Sequence, residues 1–105
     1  MLYFLRDADS GSPIREAWHA MMRSHPREMM RLFARIERIE AAKDKQAVAA
    51  ADRIQPDLYY FSIGNVYVIY SLDGDGLVIL SVGEASDAAE RRRVIEDATQ
   101  RLSVA

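Results

Sequence analysis

Between Leu58 and Val82 the chain is dominated by β-branched and aromatic residues, broken by two turn signals, Gly64-Asn65 and Asp73-Gly74-Asp75-Gly76. Such residues fit a pleated, half-buried surface, and Gly-Asn and Asp-Gly pairs mark tight hairpins. Strands are therefore expected at about 58–63, 66–72 and 77–82. Parallel neighbours need a crossover of a dozen or more residues, and these connections are far shorter. The strands must run antiparallel, as a meander, and the rest of the chain must supply cover for it.

That cover is legible as helices. Ser12-Pro13 reads as an N-cap followed by proline at the first helical position. Ile14, Ala17, Trp18, Met21 and Met22 then fall at helical spacing, which predicts a helix over 13–23. Pro26 restarts the pattern, and Glu28 sits where a carboxylate meets free backbone amides. Met29, Leu32, Phe33, Ile36 and Ile39 continue the stripe, so residues 13–42 read as a helical hairpin. Val94, Ile95, Ala98 and Leu102 mark a last helix over 90–102. The apolar run at 1–5 reads as a strand, 6–12 as loop, and the Ala-rich stretch 43–57, which has helix propensity but almost no apolar stripe, as a linker with room for one or two helical turns. The expected fold class is α+β: an N-terminal strand, a helical hairpin, a three-stranded antiparallel meander and a C-terminal helix, in one domain spanning 1–105.

Composition narrows the function. The 105 residues include no cysteine, which excludes thiolate nucleophiles and cysteine-bound zinc. No apolar run approaches the roughly 20 residues of a membrane span, and the start lacks a basic leader region, so a cytoplasmic protein with no membrane partner is expected. The formal net charge is −2. Residues 1–55 hold ten basic and eight acidic groups, whereas 56–105 hold four and eight. Strong nucleic-acid binding by the chain alone is not expected, since it needs clustered cations.

Motifs with built-in chemistry are scarce. Asp7-Ala8-Asp9 after an apolar run resembles the aspartate pair of haloacid-dehalogenase-like phosphatases, but that chemistry needs a doubly wound parallel sheet. Asp73-Gly-Asp75-Gly lacks the remaining oxygen ligands of a calcium loop. His19 and His25 are six residues apart and share no helical face, so no metal site is expected, and no cofactor motif is found. Arg31, Arg35 and Arg38, with Arg27, lie at helical spacing as a basic stripe available for binding. Tyr59 and Tyr60 are further contact candidates. Arg91, Arg92 and Arg93 form the densest basic run, splayed over about 200° of a helix.

The stretch Leu58-Tyr-Tyr-Phe-Ser-Ile-Gly-Asn-Val-Tyr-Val-Ile-Tyr70 resembles the middle of RelE/ParE/HigB-type toxins of bacterial toxin–antitoxin modules. Leu58, Tyr59, Phe61, Ile63, Gly64, Val68, Ile69 and Tyr70 fit the family pattern without a gap. Leu77–Gly83 is similar to its apolar strand ending in glycine, and Ala98, Arg101 and Leu102 to its closing helix. The resemblance implies a type II toxin inhibited by a cognate antitoxin protein. It also implies that RNase members place cations on the meander. Here those positions hold Ser62, Tyr67, Glu84 and Ala85, and no basic residue lies between Arg53 and Arg91. Three readings follow. The chain is a toxin that binds its target, as the ParE branch binds gyrase; or a non-catalytic, phage- or prophage-derived interaction module; or a ribosome-dependent mRNA endonuclease using Tyr67 or Tyr70 with Arg91, Arg92 or Arg93. Whether it is an enzyme stays open at this stage.

Overall fold

The computed structural model describes residues 2–4, 13–73 and 76–104, with side chains over 14–72 and 76–100. The loop expected at 6–12, with the Ser12 cap, and the turn residues Gly74-Asp75 lie outside the described residues, as do the side chains of Arg101 and Leu102.

Helices α1 (Pro13–Ser24) and α2 (Pro26–Ala41) form the expected hairpin. Each begins on proline, whose missing N–H costs nothing in a first turn. His25 alone separates them, its N–H bonding to Met21 and its carbonyl accepting from Met29. The pre-proline residue leaves the α region here, at φ −135° and ψ 61°. On α2 the side chains of Met29, Leu32, Ile36 and Ile39 are fully buried. Burying each contributes about 1.5–3 kcal/mol, more than any single hydrogen bond in the hairpin.

The segment expected as a linker holds the helical turns its propensity allows, and adds a strand that was not expected. Asp44 caps a short helix α3 (Lys45–Ala49) by accepting from the Ala47 N–H at 3.1 Å. A 3-10 turn at Ala50–Asp52 leads into strand β2 (Arg53–Gln55). Then come β3 (Leu58–Ile63), β4 (Val66–Asp73), β5 (Gly76–Glu84) and helix α4 (Ala88–Val104). Gly64 has φ +61°, the left-handed value that the first central residue of a two-residue hairpin loop requires.

The expected architecture is thereby corrected. Two N-terminal helices are followed by four consecutive antiparallel strands and a C-terminal helix, not by a three-stranded meander completed at the N-terminus. Leu2–Phe4 (β1) adds only a three-residue parallel pairing on β5, giving the order β1-β5-β4-β3-β2. The extra strand was illegible because all three of its side chains are exposed. It forms by backbone pairing with β3, and side-chain patterning carries no trace of it.

The sheet is covered on both faces. Tyr59, Phe61, Val68, Tyr70, Leu77 and Ile79 pack with α1 and α2 in the larger core. Leu58, Tyr67, Ile69 and Leu80 pack with Ala98, Val94 and Ile95 of α4 in a second one. A bulge breaks the alternation on β5, so that Leu80 and Ser81 both face the second core and Val82 faces the first. Ile69 pairs with Ser81 and Tyr70 with Ile79, so Leu80 is the extra residue on β5.

Candidate functional site

The best-defined polar cluster joins three elements. Arg35 on α2 donates from Nη2 to both oxygens of Asp52, each at 2.8 Å, and from Nε to Oδ2 at 3.3 Å. The Tyr70 hydroxyl on β4 donates to Oδ2 at 2.9 Å. The Asp52 side chain is 8% exposed and that of Arg35 31%. Aromatic rings wall the cluster. Arg35 lies 5.0 Å from the Phe61 ring centre, and Tyr59 stacks on Tyr70 at 5.2 Å. Burial pushes the Tyr70 phenol well above its ordinary range, and the Asp52 charge pushes it further. Tyr70 is therefore a proton donor fixed in its neutral form, and a poor general base.

On the opposite face, the Tyr67 hydroxyl meets Ser81 Oγ at 3.0 Å, and its ring stacks on Tyr60 at 6.1 Å. Gly83 lies opposite Tyr67, and a Cβ there would come within 3.3 Å of the Tyr67 hydroxyl. Glycine gives this ring its seat. The Tyr60 hydroxyl is buried without a partner among the described residues. Tyr67 and Ser81 also line a cavity of about 250 Å³ with Val94 and Asp97.

The sequence-derived candidates thus divide into separate places. Tyr59, Tyr70 and Arg35 gather around Asp52. Tyr60 and Tyr67 lie across the sheet from them. Arg91, Arg92 and Arg93 are exposed on the first half of α4, where Arg93 borders a cavity of about 420 Å³ with Glu84, Ser86 and Glu90. Arg31 and Arg38 are exposed on the outer side of α2. Beside them Met30 is 69% exposed. Among the described residues, no group of three or more acidic or histidine side chains is placed to hold a metal ion. No helix among them is long and apolar enough to cross a membrane.

Two partners escaped the sequence. Asp52 stands 17 positions from Arg35, in a stretch without periodicity. His25 reaches Glu84 at 2.7 Å, tying the α1–α2 junction to the end of β5 across 59 positions. Compared with known proteins, the chain matches no family model, no curated protein and no solved structure.

Proposed function

We propose that the chain is the toxin-like component of a type II toxin–antitoxin module, acting in the cytoplasm by binding a protein and not by cleaving mRNA. The observation that carries this reading is the separation of the two candidate catalytic tyrosines. Tyr67 and Tyr70 lie on opposite faces of the sheet, both buried and both engaged in hydrogen bonds. RNA cleavage needs a proton acceptor and a cation converging on one phosphate. Glu84, where the family resemblance would put a cation, engages His25. The resemblance of Leu58–Tyr70 to RelE/ParE/HigB toxins supports the toxin half of the reading, and ParE-like target binding is its mechanistic form.

Protein binding has a surface to use. Arg27, Arg31 and Arg38 are exposed along α2 with Met30 among them. A basic face dotted with apolar groups suits an acidic antitoxin segment, since complementary charge speeds encounter and fixes register. Gyrase and the ribosome with its mRNA are the targets that the resemblance implies, and nothing among the described residues selects between them.

The test is induced expression in a bacterial host, alone and with the product of the adjacent gene. Growth arrest that the second product relieves is the expected result. Normal growth with soluble, folded protein overturns the toxin reading and leaves an interaction module.

A further inference from the structure

Among residues 43–57 the buried side chains are Ala49 and Asp52. Ala49 brings a single methyl group. Asp52 is a carboxylate, held in place by Arg35 and Tyr70. β2 meets β3 at Arg53↔Tyr59 and Gln55↔Leu58, with the ladder shifted between them, and its own side chains are all exposed. The segment is therefore gripped by one ionic latch and a few backbone bonds, while the neighbouring strands are gripped by core side chains on both faces.

We propose that residues 43–57 form a strap, latched at Asp52, that opens as a unit while the helical hairpin and strands β3–β5 stay folded. Segments with few buried apolar contacts are the ones that open locally at less than the global cost. In the open state Asp52 regains water, and Arg35, already partly exposed, turns to solvent. Opening lifts β2 from the outer edge of β3 and bares the backbone groups of Leu58 and Tyr59. An uncovered edge is a template for another strand, so the latch controls access to that edge. The device goes beyond the toxin reading and stands without it.

Residue-resolved amide hydrogen exchange tests it on the full chain. The reporters are the strap amides of Val48, Ala50 and Arg53, which bond within the segment to Asp44, Ala47 and Ala50. The references are Ile69 on β4 and Ile79 on β5. In Asp52→Asn the isosteric amide loses the ion pair. Protection at the three strap amides is expected to fall by about a hundredfold, and at the references as well, because global unfolding also breaks the latch; in Leu80→Ala, which loosens the second core away from the strap, the references are expected to fall and the strap amides to stay unchanged. Strap amides unchanged in Asp52→Asn, or falling together with the references in Leu80→Ala, overturn the proposal. A second measurement needs no substitution. In sub-denaturing urea the strap amides of the unaltered protein should exchange through an opening with weaker urea dependence than that of Ile69 and Ile79. A shared dependence contradicts the strap whether or not Asp52→Asn folds.

Discussion

Asp52 shows how one residue can be decided by its partners and not by its neighbours in sequence. A buried carboxylate is costly unless its lone pairs are met, and here three contacts from Arg35 and one from Tyr70 meet them. Tyr70→Phe removes one charge-assisted bond and keeps the ring stacked on Tyr59. It should cost about 1.5–3 kcal/mol in urea unfolding. Asp52→Ala strands the Tyr70 hydroxyl and Arg35, and should cost about 3 kcal/mol, the low end for a broken buried pair because Arg35 keeps some water. The phenol also sets a pH dependence. Its pKa is raised in the fold above the ordinary 10.0. Its stabilising contribution is therefore complete below about pH 10 and is lost as pH rises toward the elevated folded value. A stability-versus-pH curve should fall above about pH 10, and Tyr70→Phe should flatten part of that fall; an unchanged slope would contradict it.

At the scale of elements, legibility tracked side-chain burial. The α2 stripe announced itself because Met29, Leu32, Ile36 and Ile39 recur at helical spacing and are buried, whereas Phe33 of the same expected stripe, and Met22 of the α1 stripe, lie exposed. The β3–β4 hairpin announced itself through Gly64-Asn65, and its register runs Ile63↔Val66 as a two-residue loop demands. β2 gave no signal because its side chains are all exposed and its stability is borrowed from pairing and from the Asp52 latch, while α3 showed only as the helix propensity of the Ala-rich centre. The bulge at Leu80 was equally hidden, since Leu77–Val82 reads as one uninterrupted apolar run. The basic stripe of α2 was legible as spacing, but the diversion of Arg35 into an ion pair was not. Two substitutions probe the turns and the bulged strand. Gly64→Ala places a Cβ at φ +61° and should cost about 1–2 kcal/mol, read as a lower thermal midpoint. Gly83→Ala presses on the Tyr67 ring and should cost about 1–3 kcal/mol. Tyr67→Phe removes the closest contact, so the two costs should fall short of their sum in a double-mutant cycle. Simple additivity would mean that Gly83 does not seat the ring.

For the whole molecule, the placement of charge and aromatics matters more than the net −2. The acidic balance of residues 56–105 leaves the sheet without a cation between Arg53 and Arg91. The exposed arginines of α2 and α4 belong to different layers, packed on opposite faces of that sheet. The candidate catalytic tyrosines are likewise split between the two cores. A molecule so arranged can present surfaces to protein partners, in keeping with the proposal that it arrests growth by binding alone. The most direct measurement is the mapping of mRNA 5′ ends on translating ribosomes after induction of the chain. Action by binding alone predicts arrested growth with intact messages. New ends that appear on induction and vanish in Tyr67→Phe or Arg92→Ala would contradict it.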